Sequence, residues 1–118
     1  MNIEDVTPGP LGNKVYRLVF IEGEDDPYLA QFEVLMEAMA IYVERTTVRK
    51  EHWKRQGWRG PLFDVREKAE RLFYRFWDRE PGPVSSKESE DALDLINYAA
   101  LLVRAFRTGD RSGHWWDE

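Results

Sequence analysis

The stretch Ser89–Arg107, SEDALDLINYAALLVRAFR, limits the fold most tightly, because it is an apolar helix with two aspartates on or beside its most buried side. At roughly 100° per residue, Asp91, Leu95, Tyr98 and Leu102 fall within about 60° of one another, and Asp94 lies about 60° to one flank. So wide an apolar arc belongs to the central helix of a bundle. An ionised carboxylate taken out of water without a partner costs several kcal/mol or more, so a cation or a polar site is expected opposite. The plainer alternative leaves Asp91 wet near the helix start, where it favours the positive end of the macrodipole.

The rest of the chain supplies elements for such a bundle. Asp26-Pro27 reads as an N-cap followed by the first helical position. Tyr28, Phe32, Leu35, Met39, Tyr42 or Val43, and Thr46 then recur at helical spacing, which predicts a helix over about 27–56. β-Branched residues around Thr46 lower the local propensity and leave room for a break there. Glu33, Glu37 and Glu44 line a solvated side. Gly57 and Gly60-Pro61 predict a loop, after which Asp64 caps a helix over 64–80 with Val65, Ala69, Leu72 and Phe76 as its buried stripe, widened by Phe73 and Trp77. Pro81-Gly82-Pro83 stops it, and Ser85 and Glu88, spaced as a capping box, open a third helix over 87–107. Residues 1–13 are punctuated by Pro8, Gly9, Pro10 and Gly12 too often for a regular element. Lys14–Ile21 has strand composition but no obvious internal partner, leaving a copy of itself or a short strand near the C-terminus. The expectation is a single all-α helical bundle over 1–118, with one short N-terminal β-strand.

Composition narrows the chemistry. A net charge of -5 argues against general nucleic-acid binding, although the run His52–Gly60 interleaves Trp53 and Trp58 with cations in a way suited to stacking a base. Absence of cysteine excludes disulfides, thiolate zinc sites and a cysteine nucleophile, and two distant histidines, His52 and His114, argue against a histidine-rich metal site. The acidic N-terminus and the lack of a long apolar run predict an intracellular, cytoplasmic protein without a membrane partner. Trp115 and Trp116 in the polar tail are expected to dock on the body or form an interface.

Two antiparallel helices joined by the Pro-Gly turn can bring Glu67 and Glu70 opposite Asp91 and Asp94. Four carboxylates without histidine suit Mg²⁺ or Mn²⁺ rather than zinc, and magnesium held this way takes its remaining ligands from water and phosphate oxygens. The routine alternative pairs Glu67 and Glu70 with Arg66, Lys68 and Arg71 on the surface.

The pattern EKAE (Glu67, Glu70), then roughly twenty residues, then DALD (Asp91, Asp94) resembles the E-x-x-E and E-x-x-D signature of the all-α NTP pyrophosphohydrolases, the MazG and dimeric dUTPase superfamily. EHWKRQGWRG, REKAERL and DALDLINYAALLVRA also resemble small phage and prophage members grouped with nucleotide-modification domains. Asp91 departs from the signature, which usually has Glu there. The resemblance implies Mg²⁺-dependent hydrolysis of a nucleoside triphosphate to the monophosphate and pyrophosphate. It makes Glu67, Glu70, Asp91 and Asp94 the catalytic and metal-holding set, with Glu70 the candidate for orienting water. Lys68, Arg71, Lys87 and Arg104 are candidates for the phosphates, Asn97 for sugar or base, and Tyr98 and Trp58 for stacking. A homodimer or homotetramer is expected. The competing expectation is a catalytically inactive bundle, or a nucleotide-binding domain, that dimerises through its aromatic surfaces.

Overall fold

The computed structural model describes residues 1–49 and 58–108. It is mostly helical with a short two-stranded sheet: β1 (Asn2–Asp5), β2 (Tyr16–Val19), α1 (Asp26–Arg49), α2 (Arg59–Phe76) and α3 (Ser86–Thr108). The chain forms two compact units, Met1–Val34 and Leu35–Glu118. The part of the first predicted helix beyond Arg49, most of the 52–60 run including His52 and Trp53, and the tail with His114, Trp115 and Trp116 lie outside the described residues.

In the first unit, β1 and β2 are antiparallel, with Asn2 opposite Val19 and Asp5 opposite Tyr16. The strand predicted from Lys14 therefore has an internal partner after all. The punctuation is confined to residues 8–12, and the four residues NIED before it are free to pair. Glu4 and Arg17 face each other across the ladder as an ion pair. Thr7 closes the connection, donating to Asp5 Oδ1 at 2.5 Å and accepting from the Val15 amide at 3.0 Å. After β2, Gly23 takes φ +86° in the turn whose Asp25 carboxylate accepts from the Ile21 amide at 2.7 Å. Asp25 is buried and also meets the Met1 ammonium at 2.9 Å. Its carbonyl accepts from the Leu29 amide, so the helix entry is at Asp25, one residue earlier than the Asp26-Pro27 reading. Phe20 packs on Phe32 with ring centroids 5.7 Å apart.

In the second unit, α1 continues without a break at Thr46. The Thr46 hydroxyl satisfies itself against the Tyr42 and Val43 carbonyls, and that of Thr47 against Val43, which keeps these β-branched residues helical. Ala38 is buried and Ile41, Tyr42, Arg45 and Thr46 are partly buried, whereas Leu35 and Met39 are exposed, so Tyr42 and Thr46 keep the predicted inward side while Ala38 takes the place expected of Met39.

α2 starts at Arg59 rather than Asp64, with Trp58 as N-cap and Gly60 and Pro61 buried in the first turn. Proline is tolerated there because its missing N–H has no intrahelical acceptor. Asp64 consequently sits inside the helix and caps nothing. The helix stops at Phe76, short of the predicted Glu80. Phe73 and Trp77, expected to widen the buried stripe, are 52% and 72% exposed and stack on each other with centroids 5.0 Å apart.

α3 begins as predicted, the Ser85 hydroxyl accepting from the Glu88 amide at 3.2 Å. The Glu88 carboxylate goes to Arg79 at 2.6 Å, tying the two ends of the α2–α3 turn together. The buried apolar side chains among the described residues are Ala38, Pro61, Leu93, Leu101 and Ala105. Along α3 the most buried line is thus Asp94, Leu101 and Ala105, with Asp91 on its flank, the reverse of the expected order. The reason is that α3 faces α1 as well as α2: Asn97 Nδ2 donates to the Ala38 carbonyl at 2.8 Å.

Candidate functional site

Asp94 is 5% exposed and Asp91 partly buried, and the two project from successive turns of α3 toward a column of cations. Lys68 of α2 lies between them, its Nζ 3.1 Å from Asp91 Oδ1 and 3.5 Å from Asp94 Oδ2. The other oxygen of each carboxylate has its own arginine. Asp91 Oδ2 meets Arg75 at 3.2 Å, and Asp94 Oδ1 meets Arg45 of α1 at 2.5 Å. Arg71 approaches Asp91 Oδ1 at 3.7 Å and also binds Glu67 at 2.6 Å, while Arg45 reaches Glu90 at 3.2 Å.

These contacts set the protonation states. Burial pushes the Asp91 carboxyl up, but the Lys68 hydrogen bond and the charges of Lys68, Arg71 and Arg75 outweigh it and hold the group below the ordinary aspartate value. Lys68 mirrors this: burial disfavours its charge, yet Asp91 and Asp94 raise it above the usual lysine value. Asp64, one turn before Lys68, is raised by burial and by Glu67. Burial and Asp64 likewise raise the phenol of Tyr98.

Lys68, Arg71, Arg75, Lys87, Glu88, Glu90, Asp91 and Asp94 line one open cleft of about 490 Å³. Lys87 has no ion-pair partner among the described residues. The cleft thus joins four carboxylates, those of Glu88, Glu90, Asp91 and Asp94, to four cationic side chains able to meet phosphate.

Of the candidates read from the sequence, the fold brings Asp91, Asp94, Lys68, Arg71 and Lys87 to this cleft. Glu67 borders it through Arg71. Glu70 pairs at 2.9 Å with Arg66, both exposed. Asn97 is engaged by the α1 backbone. Arg104 donates to the Tyr42 hydroxyl at 3.1 Å. Trp58 caps α2 beside Phe106, their centroids 6.2 Å apart. Fifteen residues of helix, about 22 Å, separate Phe106 from Asp91. Tyr98 lies nearer, about two turns along α3 from Asp91.

Sequence reasoning missed Arg45, Arg75, Asp64 and Glu90. Arg75 was readable as the third member of a Lys68, Arg71, Arg75 stripe at i, i+3 and i+7. Arg45 carried no comparable signal.

Among the described residues no group of three or more acidic or histidine side chains is gathered for a metal ion. Two carboxylates are nevertheless a sufficient protein contribution for Mg²⁺ when substrate phosphates complete its shell. The Lys68 ammonium is seated between one oxygen of each aspartate. Compared with known proteins, the chain matches no family model, no curated protein and no solved structure.

Proposed function

We propose that this protein is a Mg²⁺-dependent nucleoside triphosphate pyrophosphohydrolase, converting a (d)NTP and water to the monophosphate and pyrophosphate in the cleft between α2 and α3. The observation that carries the reading is the convergence of Asp91 Oδ1 and Asp94 Oδ2 on a single ammonium, in a cleft lined also by Arg71, Arg75, Lys87, Glu88 and Glu90. The EKAE and DALD resemblance supports the same reading.

Asp91 and Asp94 would hold the metal, which when bound neutralises the triphosphate and lowers the pKa of an attacking water. Arg75 and Lys87 meet phosphate oxygens, Lys87 at no cost to an existing pair. Arg45 positions Asp94 from the α1 side. Asp64, more basic than an ordinary aspartate and without an ion-pair partner among the described residues, takes the proton in preference to Glu70, which is neutralised by Arg66. Tyr98, about two turns along α3 from Asp91, would meet the sugar or base.

Pyrophosphate release from a panel of dNTPs and NTPs with Mg²⁺ tests the proposal. Turnover is expected with at least one of them and is abolished in Asp94→Asn. No turnover across the panel rejects the hydrolase.

The exposed Phe73 and Trp77 favour a second reading, in which the bundle self-associates as a dimer or tetramer and serves as an interaction scaffold. No helix among the described residues is long and apolar enough to cross a membrane, so a bilayer-spanning role for these aromatics has no support.

A further inference from the structure

We infer that Lys68 shuts the Asp91 and Asp94 pair to free divalent metal, so that the metal enters only together with a polyphosphate ligand that draws the lysine away. This rests on the preceding assignment of the two aspartates as the metal-holding pair.

The geometry divides the four carboxylate oxygens into two kinds. The outer oxygens, Asp91 Oδ2 and Asp94 Oδ1, are held by Arg75 and Arg45 at 3.2 and 2.5 Å. The inner oxygens, Asp91 Oδ1 and Asp94 Oδ2, share the Lys68 ammonium at 3.1 and 3.5 Å, with Arg71 farther off at 3.7 Å from Asp91 Oδ1. The nearest cation on each kind of oxygen differs in side-chain type. Arginine's planar fork suits a fixed contact, whereas lysine is a point charge on a flexible four-carbon stem that can swing without dismantling a bidentate arrangement.

Charge balance then fixes the order of entry. Arg45, Lys68, Arg71 and Arg75 are already balanced by Asp91, Asp94, Glu67 and Glu90. A bare divalent cation would have to displace the ammonium or add two positive charges to a partly buried, balanced cluster, and both are unfavourable. A polyphosphate changes the sum. It brings the compensating negative charge and offers the displaced Lys68 a new partner in the same cleft, beside Arg71, Arg75 and Lys87. Metal and phosphate binding are therefore coupled, each raising affinity for the other by the same factor.

Mn²⁺ binding, read by water-proton relaxation enhancement, tests this without turnover, and inorganic tripolyphosphate serves as a probe that is independent of the base. Wild-type protein is expected to bind Mn²⁺ at least about tenfold more tightly with tripolyphosphate than without it. Lys68→Met is expected to bind Mn²⁺ alone roughly tenfold or more tightly than wild type, and Lys68→Met with Asp94→Asn loses that gain. The inference is overturned if wild type binds Mn²⁺ equally well with and without tripolyphosphate, or if folded Lys68→Met gains nothing. If circular dichroism shows that Lys68→Met does not fold, the wild-type comparison alone decides. A positive Mn²⁺ result without pyrophosphate release from any NTP removes the hydrolase and leaves the Lys68 gate standing. Turnover with free Mn²⁺ binding to wild type removes the gate and leaves the hydrolase.

Discussion

Asp94 combines near-complete burial with cations from two helices, so removing it takes a counter-charge from both Arg45 and Lys68 and leaves them only Glu90 and Asp91. Asp94→Ala is expected to lower the unfolding free energy by roughly 2–3 kcal/mol in urea titrations. Glu70→Ala, which loses only an exposed pair with Arg66, should change it by less than about 0.5 kcal/mol. Equal losses would contradict the placement of these acids. Asp91 adds a pH dependence. Its folded pKa lies below the ordinary 3.8, so its contribution is complete above that value and disappears as pH falls through the depressed one. Lys68 has the opposite sign: its pKa is raised above 10.5, so its contribution holds below that value and is lost as pH rises through the folded one. The stability gap between wild type and Asp91→Asn should therefore be wide at neutral pH and close on acidification below the ordinary carboxylate range; urea titrations at successive pH values measure it, and a constant gap would refute the pairing. The aspartates were legible because carboxylates on an apolar helix demand partners. Of their partners, Lys68, Arg71 and Arg75 were readable as one stripe of α2, whereas Arg45 was not, because which residue of α1 stands level with Asp94 is not carried by a single helix's periodicity.

At the scale of the element, the three helices were legible from hydrophobic spacing, while their starts were legible only where the capping chemistry was unambiguous. Ser85 before Lys87-Glu88 was such a case. Gly60-Pro61 was not, because the same pair ends one helix or occupies the first turn of another, and here Pro61 is buried inside α2. The two assignments separate in a mutational comparison. Ser85→Ala removes the hydroxyl that accepts from the Glu88 amide and should cost about 1 kcal/mol of stability. Asp64→Ala removes no cap, and it relieves a carboxylate disfavoured by burial and by Glu67, so thermal unfolding should show little loss or a small gain. A capping-sized loss at Asp64 would instead support a helix starting there. The N-terminal pairing escaped the sequence reading for a related reason. Glycine and proline between Pro8 and Gly12 mark the connection between two strands, and their density hid the four pairing residues ahead of them.

At the scale of the whole molecule, the buried apolar side chains among the described residues are two alanines, two leucines and Pro61. Phe73 and Trp77 meanwhile stack in the open, on a groove of about 480 Å³ lined also by Ala69, Leu72, Phe76 and Leu95. Stability is a small difference between large terms, so covering such an exposed apolar face adds to it. A second copy is a partner always present at equal concentration, and it brings the same aromatic pair to a two-fold contact. Self-association of this kind makes apparent stability follow protein concentration by mass action. Raising the concentration a hundredfold should therefore raise Tm measurably in wild type. Phe73→Ser combined with Trp77→Ser should remove that dependence and elute as a smaller species in size-exclusion chromatography with light scattering. Both changes lie on the groove rather than in the charged cleft, so loss of self-association with retained Mn²⁺ and tripolyphosphate binding would separate assembly from ligand chemistry. A Tm independent of concentration in wild type would mean that the chain is stable as a single copy with its aromatics in water.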